Sequence, residues 1–384
     1  MKIAIVTESF LPQVNGVVNT VLRILEELEP LGHEALVIAP DDPAGVPDRV
    51  HGAAVVTMPS WSLPSHPEVR VASGRVSPVA ARLAEFEPDV VHLASPFELG
   101  WRGARAAERL GLPLVATFQT DVPAFAAGHG YAWLEPQLRK RVRRIHGLAD
   151  RTLVPSSASL RQLQDEGIER LAVWGRGVDA VRFHPDRHSE AWRQRVGTGR
   201  PLVGFVGRLA PEKQVHRLLT LRDEQIDLVV IGDGPSRGQL ERLLPDAHFT
   251  GMLHGDDLAV AMASLDLLVH TGDHETFCQV IQEAMASAVP VVAPASGGPL
   301  DLVDHSRTGW LFTNPEDMRL RVRDLIGDDY KRWVMGSTAR RTVEDRTWAA
   351  LVTELLGHWT AAIGTPVAAG DFDKLNHRGS GRAG

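Results

Sequence analysis

The 384-residue chain contains one cysteine, Cys278, so it cannot form an internal disulfide bond. Disulfides are typical of secreted proteins and rare in reducing compartments, which favours a cytoplasmic protein. The chain also lacks any apolar run near the roughly 20 residues that a membrane-spanning helix needs. The apolar run in the N-terminal MKIAIVTESF ends at Thr7 and Glu8. That run is too short for the hydrophobic core of a signal peptide and is typical of a buried strand.

An excess of basic residues is also missing, because 41 Lys and Arg stand against 48 Asp and Glu, for a net charge of −7. Nucleic-acid-binding proteins usually carry a basic footprint, so we expect no nucleic-acid partner. No glycine-rich GxGxxG fingerprint follows the first strand, which removes the main support for a nicotinamide cofactor. The histidines show no zinc-ligand spacing, and the only D-x-D motif, DFD at 371–373, lies in a polar tail. We therefore expect no cofactor and no metal site.

Short β-rich apolar runs alternate with helical patterns along two stretches of the chain. Strands that alternate with helices form parallel βαβ units. The first series is KIAIV, EALVIAP, DVVHLASP, PLVATFQTD and RTLVPSS, and the second is PLVGFVG, DLVVIGDGP, LDLLVHTG and PVVAPASGG.

A polar, charged stretch at 176–201 separates the two series and is interpreted as a linker. We therefore predict an α/β protein of two Rossmann-like, doubly wound domains, at 1–184 and 200–345. A helix at 347–363 is expected to pack back on the first domain. The polar, glycine-rich segment 364–384 is predicted to be a disordered tail.

Open α/β sheets bind ligands at the carboxyl ends of their strands, so the strand-to-helix loops should carry the site. In the first such loop, Gly16 lets the backbone approach a ligand, and the helix start beside it favours an anion; a plain turn glycine is the alternative. In the second, GFVGRLAPEK, Arg208 and Lys213 directly follow a buried strand. Their charges suit a diphosphate, although exposed basic residues are often only solvated.

The third loop, TGDHETFCQVIQE, carries Glu275 and Glu283, eight residues apart. We expect a helix to start near Thr276, with the free N–H groups of Thr276, Phe277 and Cys278 available to a phosphate. Eight helical steps span about 12 Å, roughly the reach from a sugar across a diphosphate to a ribose. Each carboxylate could then accept hydrogen bonds from one of these sugars. The alternative is a glutamate favoured by the helix dipole and an unrelated surface glutamate.

These motifs together resemble the GT-B glycosyltransferases of family 4, which use nucleotide sugars and retain anomeric configuration. The resemblance covers about 1–363 and implies two Rossmann-like domains that face each other across a cleft. Further segments narrow it to the bacterial GDP-mannose-dependent α-mannosyltransferases that act on glycolipids. The segments that carry the resemblance are ETFCQVIQE, GFVGRLAPEK, VVIGDGP, FTGMLHGDDLAVAMASLDLLVH, ASAVPVVAPASGGPLDLV and TGWLF, and those that narrow it are ESFLPQVNGVVNT, VVHLASP, TFQTDVPAF and WGRGVDAVRFHP.

The resemblance implies that Glu283 holds the donor's ribose and that Glu275 contacts hydroxyls of the transferred sugar. Arg208 and Lys213 would hold the diphosphate together with the helix start at 276–278.

The loop of Gly16 would approach the donor when the cleft closes, and Gly251 and Met252 would meet the base through their backbone.

Gln119, in TFQTDVPAF, occupies the place where many relatives have a histidine. Glutamine can orient a sugar hydroxyl but cannot titrate. Asp121 either contacts the acceptor or caps a turn. Arg176 either reaches the donor phosphate or an anionic acceptor, or forms a salt bridge at the linker.

The implied mechanism is a front-face displacement in which the leaving diphosphate takes the acceptor's proton. Arg208, Lys213 and the helix dipole would stabilise the leaving group, so no metal would be required. Three alternatives stay open: a transferase that uses a UDP-sugar with glucosyl, galactosyl or sulfoquinovosyl groups, a nucleotide-sugar 2-epimerase, and a non-catalytic nucleotide-sugar sensor. Gln119 weakens the epimerase alternative, because an epimerase needs titratable acid and base groups.

A basic helix in WLEPQLRKRVRRIHGLAD could rest on an anionic membrane surface, which would suit a lipid acceptor at the inner membrane face. An ordinary solvated helix explains the same pattern. The basic residues are Arg139, Lys140, Arg141, Arg143 and Arg144.

Overall fold

The computed structural model describes residues 1–63, 66–126 and 131–364 of the chain. None of the helices within these ranges combines the length and the apolar character that crossing a membrane requires. The DFD motif and all of the predicted tail beyond residue 364 lie outside the described residues.

The chain divides into two compact units. Unit 1 consists of the described residues within Met1–Thr117, Arg139–Thr152 and 355–364. Unit 2 consists of Phe118–Leu138 and Leu153–Glu354.

The boundaries of these units differ from those of the predicted domains, 1–184 and 200–345. The predicted domain boundaries stay a prediction. The last helix runs from Trp348 to Ile363, close to the predicted 347–363. Its second half belongs to unit 1, where the indole of Trp359 is fully buried and donates to Nδ1 of His92 at 3.2 Å.

Unit 1 is built on a sheet whose central strand, β1 (Lys2–Thr7), pairs in parallel with β2 on one side and β7 on the other. Six strands of this sheet lie in the order β8-β7-β1-β2-β4-β3. The elements that lie wholly or partly in unit 1 are β1 (Lys2–Thr7), α1 (Gly16–Leu28), β2 (Glu34–Pro40), β3 (Arg49–Val50), β4 (Ala53–Met58), β5 (Ser60–Leu63), β6 (His66–Ala72), α2 (Val76–Phe86), β7 (Val90–Ala94), α3 (Glu98–Leu110), β8 (Leu114–Thr117), α5 (Glu135–Leu148), β9 (Arg151–Val154) and α14 (Trp348–Ile363).

The sequence pattern explains these elements. The residues of β1 from Ile3 to Val6 are fully buried, as expected for an inner parallel strand covered on both faces. Helix α1 buries Val18, Val21 and Leu25, which recur at helical spacing. It ends at Leu28.

Unit 2 contains a six-stranded parallel sheet in the order β13-β12-β11-β14-β15-β16. Counted along this sheet from β11, this is the order 3-2-1-4-5-6 of a doubly wound nucleotide-binding sheet. The remaining elements of the chain, all in unit 2, are α4 (Val122–Ala126), α6 (Ser157–Asp165), β10 (Leu171–Val173), α7 (Glu190–Val196), β11 (Leu202–Val206), β12 (Asp227–Ile231), α8 (Arg237–Leu243), β13 (His248–Gly251), α9 (Gly255–Ala263), β14 (Leu267–Val269), α10 (Gln279–Ala286), β15 (Val291–Pro294), α11 (Pro299–Leu302), β16 (Gly309–Phe312), α12 (Pro315–Ile326) and α13 (Asp329–Val343), with short 3₁₀ helices at Ala132–Leu134, Pro185–Arg187, Pro211–Lys213 and Val215–Leu221.

Alternating side chains of this sheet enter two apolar layers, one on each face. In β12, Val229 and Ile231 join one buried cluster, whereas Leu228 and Val230 join the other. Both faces are therefore covered, and the strand order reverses between β11 and β14. Ligands of such sheets bind at this switch point, so the loops after β11 and β14 are the place to look for a site.

Candidate active site

The loops after β11 and β12 lock together through their backbones. Leu209 N donates to Asp233 O at 2.8 Å, and Gly207 N donates to Ile231 O at 2.9 Å. A Cβ at Gly232 would lie 1.9 Å from Gly207 O, so only glycine allows this approach.

Arg208 lies in this locked loop. Its side chain is exposed and makes no hydrogen bond or ion pair with any residue in the described ranges. A rigid backbone that presents an uncommitted guanidinium suits an anionic ligand.

Lys213 ends the 3₁₀ helix that follows this loop and contacts the loop after β14. Its Nζ donates to Oε1 of Glu275 at 2.5 Å. Its carbonyl accepts from Oγ1 of Thr271 at 2.6 Å. The structure therefore brings Lys213 and Glu275 together at the switch point, although the sequence assigned them to separate parts of the ligand.

The loop that carries Glu275 is fixed by a second ion pair. Arg217 binds both carboxylate oxygens of Asp273, at 2.7 and 2.6 Å. Gly298 N donates to Glu275 O at 2.7 Å, and a Cβ at Gly297 would lie 2.5 Å from the same oxygen. The Glu275 backbone is thus held before any ligand binds, as electrostatic preorganisation requires.

His270, at the end of β14, is a further neighbour of Glu275. It is 3% exposed, and its Nε2 lies 3.3 Å from Glu275 Oε1. Burial alone raises the pKa of Glu275, but His270 and Lys213 outweigh it and lower this pKa to about 2. Burial likewise lowers the pKa of Lys213, but the Glu275 carboxylate more than offsets this and leaves it above its ordinary value. Glu275 is therefore an ionised acceptor next to a cation.

The helix predicted to start near Thr276 begins three residues later, at Gln279. Cys278 precedes it with a left-handed backbone, at φ 81°, while Thr276 and Phe277 lie in the loop. The predicted helix start is thus wrong, because the loop must turn back before the helix can begin. The span of about 12 Å between the two carboxylates assumed a continuous helix and does not apply.

Glu283 lies within α10 and differs from Glu275 in its surroundings. Its carboxylate makes no hydrogen bond with any described residue. Burial raises its pKa to about 8, although the charges of Arg176 and Arg182 oppose the shift. This side chain has unused hydrogen-bonding capacity.

Gln119 and Arg176 meet in unit 2. Arg176 Nη2 donates to Gln119 Oε1 at 3.2 Å, and Thr276 Oγ1 donates to Gln119 O at 3.0 Å. Gln119 is 5% exposed, and its Nε2 has no partner among the described residues. Burial lowers the pKa of Arg176 to about 10, against the charges of Glu275, Cys278 and Glu283. The contact of Arg176 is with Gln119, so the linker salt bridge considered from the sequence is absent from the ion pairs of the described residues.

Asp121 has the geometry of a turn cap. Its Oδ1 accepts from Ala124 N at 3.0 Å, and its Oδ2 accepts from Gln162 Nε2 at 2.6 Å. Both oxygens are engaged, which favours the capping alternative over contact with an acceptor.

Gly251 and Met252 lie at the end of β13. Gly251 has a left-handed backbone, at φ 78°, and its carbonyl accepts from Gly232 N at 2.9 Å. The side chain of Met252 is 50% exposed. The loop after β13 is therefore bonded to the loop after β12 and is also open to solvent.

Gly16 lies in unit 1, at the first position of α1, and is exposed. The predicted free N–H groups beside it are partly used, because Asn15 Oδ1 accepts from Val17 N and Val18 N at 3.0 Å each. An anion at this helix start would have fewer donors than the sequence suggested.

The basic residues of α5 are not equivalent. Arg141 pairs with Glu98 at 2.9 Å and lies over the ring of Trp101, 5.1 Å from its centroid. Lys140 and Arg144 are exposed. The helix therefore presents part of its charge to solvent and uses part of it within unit 1.

Sequence reasoning missed three residues that shape the site. His270 was treated as a strand end. Gln279 Nε2 donates to Gly177 O at 3.0 Å and Gln282 Nε2 to Arg176 O at 2.9 Å, which fixes the loop of Arg176 on α10. The available signal was spacing: Gln282 stands three and four positions before Met285 and Ala286, so a helix places it on the apolar face.

The sheet order and the charged loops at the switch point define an enzyme of the GT-B class, built from two Rossmann-like parallel-sheet domains. The described fold aligns with that of the Anabaena protein HepE, solved in complex with UDP, with a TM-score of 0.76 at 23% identity over 94% of this chain and 100% of that one. The family models "Glycosyltransferase Family 4" and "Glycosyl transferases group 1" match residues 14–182 and 186–342. The chain belongs to the family 4 glycosyltransferases.

Named relatives extend over nearly the whole chain. A GDP-mannose-dependent alpha-mannosyltransferase of Mycolicibacterium smegmatis is 48% identical over 95% of this chain and 98% of its own length. A GDP-mannose-dependent alpha-(1-6)-phosphatidylinositol dimannoside mannosyltransferase of Mycobacterium tuberculosis is 27% identical over 93% and 95%. The resemblance recognised from the motifs is thereby confirmed.

Proposed function

We propose that the protein is a retaining α-mannosyltransferase that moves mannose from GDP-mannose to a glycolipid acceptor without a metal ion. The geometric observation that carries the proposal is the contact between Lys213 Nζ and Glu275 Oε1 at the switch point. In the proposal, the cation serves the diphosphate, and the ionised carboxylate beside it accepts from sugar hydroxyls. The names of the two mannosyltransferase relatives support the donor and the lipid acceptor.

In this proposal, Arg208 and Lys213 bind the diphosphate and stabilise the charge that develops as the glycosidic bond breaks. Glu275 accepts from hydroxyls of the mannose, and Glu283 accepts from hydroxyls of the ribose. Nε2 of Gln119, which has no partner among the described residues, is a donor available to the sugar or to a phosphate oxygen. Thr276, Phe277 and Cys278 would contribute backbone N–H groups from the loop rather than from a helix start.

The acceptor hydroxyl would attack from the side on which the diphosphate leaves. Its proton passes to a diphosphate oxygen, which agrees with the lack of a titratable group at Gln119. Configuration is retained because the bond forms on the face from which the old bond departs.

Calorimetric titration with GDP, UDP, GDP-mannose and UDP-glucose in the presence of a chelator tests the donor. Tight binding of the guanine pair alone is expected. A preference for uridine would replace the proposal with a UDP-sugar transferase. Binding without mannose transfer to any lipid fraction would favour a sensor.

We further propose that the exposed part of α5 contacts an anionic membrane. Each basic residue near such a surface contributes about 1 kcal/mol, so Lys140→Glu with Arg144→Glu should weaken sedimentation with phosphatidylserine vesicles at least about tenfold. A matched control is Arg222→Glu with Arg307→Glu, whose side chains are 66% and 72% exposed in unit 2. An equal loss of sedimentation in both double variants would show that net charge, and not α5, determines membrane binding.

A further inference from the structure

Three different metal-ligating side chains converge beside the Lys213–Glu275 pair. His270, Glu275 and Cys278 each offer one ligand atom, and the three atoms lie within 4.8 Å of one another. His270 and Cys278 are 3% and 8% exposed. Nδ1 of His270 has no hydrogen-bond partner among the described residues, which is unusual for a buried imidazole, and Nε2 has only the 3.3 Å approach of Glu275 Oε1.

The backbone leaves space for a bound ion between these atoms. A Cβ at Gly272 would lie 3.3 Å from His270 Nε2 and 3.4 Å from Glu275 Oε1, so both atoms face the same side-chain-free position. The left-handed backbone of Cys278 ends the same loop. The loop thus folds an imidazole, a carboxylate and a thiol around one small space.

We propose that these residues form a site for Zn²⁺ or a similar divalent transition metal. Zinc takes imidazole, thiolate and carboxylate ligands at about 2.0–2.3 Å, which sets tetrahedral ligand atoms about 3.4–3.7 Å apart. Ligand atoms within 4.8 Å need only a small inward movement. Mg²⁺ and Ca²⁺ prefer oxygen ligands alone and do not suit the set. Three protein ligands leave the fourth position open, and the metal displaces any proton held on the ligand atom of His270 or Cys278.

The consequence for activity rests on the proposed function. A metal on Glu275 replaces its contact with Lys213 and occupies the carboxylate needed by the transferred sugar. The metal is therefore inhibitory, and GDP-mannose and metal compete.

Cobalt(II) tests the site directly, because a thiolate bound to cobalt gives a near-ultraviolet charge-transfer band. Cys278 is the only cysteine, so any such band reports on this position alone. The full chain titrated with Co²⁺ should show the band saturating at one equivalent and lost on addition of Zn²⁺. His270→Ala and Glu275→Gln should weaken Co²⁺ binding at least about tenfold, since even second-shell changes cost 10- to 100-fold.

His274→Ala removes an exposed histidine from the same loop and should leave the titration unchanged. Absence of the band at stoichiometric Co²⁺, or equal affinity in His270→Ala with an unchanged circular dichroism spectrum, would overturn the site. The titration needs no donor, so the band can appear even if the donor assignment fails. Simultaneous binding of GDP-mannose and metal would overturn the inhibitory role alone.

Discussion

Glu275 and Glu283 are the same residue type, eight positions apart in one segment of unit 2, yet their environments push their pKa values in opposite directions. Glu275 has Lys213 and His270 against its carboxylate and a pKa of about 2. The Glu283 carboxylate makes no hydrogen bond with a described residue, and burial raises its pKa to about 8 against the charges of Arg176 and Arg182. Burial raises the pKa of both, so the partners, rather than burial, decide which carboxylate is ionised.

The comparison assigns different work to the two residues. A carboxylate that is already paired and held by its backbone can act on charge that develops during reaction. A carboxyl group without partners gains hydrogen bonds only when a ligand arrives, so it contributes to binding. Substitutions should therefore separate catalysis from affinity.

The largest effect is expected for Glu275→Ala. Transfer should fall about 10²- to 10³-fold in kcat, because a preorganised group is lost. The Kd for GDP should stay within about threefold, because the contact is to the sugar. Steady-state kinetics and calorimetry measure the two, and Glu275→Gln controls for volume. Equal losses in both measurements would remove the distinction between the carboxylates.

The second-largest effect is expected for Lys213→Ala, which removes the lysine that contacts Glu275. A charge-assisted contact is worth about 1.5–3 kcal/mol, so the Kd for GDP should rise roughly 10- to 150-fold. The control is Lys331→Ala, whose Nζ contacts Asp324 at 2.7 Å on the surface. Guanosine, which has no phosphate, should bind both variants like the parent chain. An unchanged Kd for GDP in Lys213→Ala would show that this lysine serves only Glu275.

The smallest effect is a difference in pH dependence. From the ordinary value of 4.5, the folded pKa of Glu283 rises, so its stabilisation is full below about pH 4.5 and is lost as pH rises through about 8. The folded pKa of Glu275 falls, so its stabilisation is full above about pH 4.5 and is lost as pH falls through about 2.

Urea denaturation from about pH 5 to about pH 9 checks these signs. Relative to the parent chain, Glu283→Gln should flatten the decline of the free energy of unfolding with rising pH. Below about pH 6.5, Glu275→Gln should shift the curve without changing its slope. Above about pH 6.5 this variant should also flatten the decline, because the Glu275 carboxylate helps to raise the pKa of His270 from 6.5 to about 10. The same slope change in both variants below about pH 6.5 would mean that the two carboxylates titrate alike.

The strands and the loops that follow them could be predicted from the sequence, because buried parallel strands are continuous apolar runs with charged residues after them. The predicted KIAIV run corresponds to β1, and LDLLVH to β14 with His270 directly after it. The α/β fold class and the two Rossmann-like sheets are confirmed. The individual roles of the site residues stay predictions.

Three features could not be predicted, because each depends on tertiary contact. The left-handed Cys278 delays α10, although threonine before a helical pattern is an ordinary start signal. The two hydrogen bonds that Asn15 Oδ1 accepts from Val17 N and Val18 N form only when this side chain turns onto the helix. The grouping of Phe118–Leu138 with unit 2 reflects packing, which residue patterns along the chain do not record.

The interlocked loops after β11 and β12 also limit which glycines of this chain can be replaced during evolution. A Cβ at Gly234 would lie 2.5 Å from Leu209 O, and one at Gly232 would lie closer still to Gly207 O. Nothing lies within 4 Å of a Cβ at Gly238, a few residues further along. Substitutions should therefore be tolerated at Gly238 and excluded at Gly232 and Gly234. In a library of random variants, folded proteins should carry substitutions at Gly238 but not at Gly232 or Gly234. The glycines that tolerate substitution would therefore show where the loops after β11 and β12 are no longer in contact.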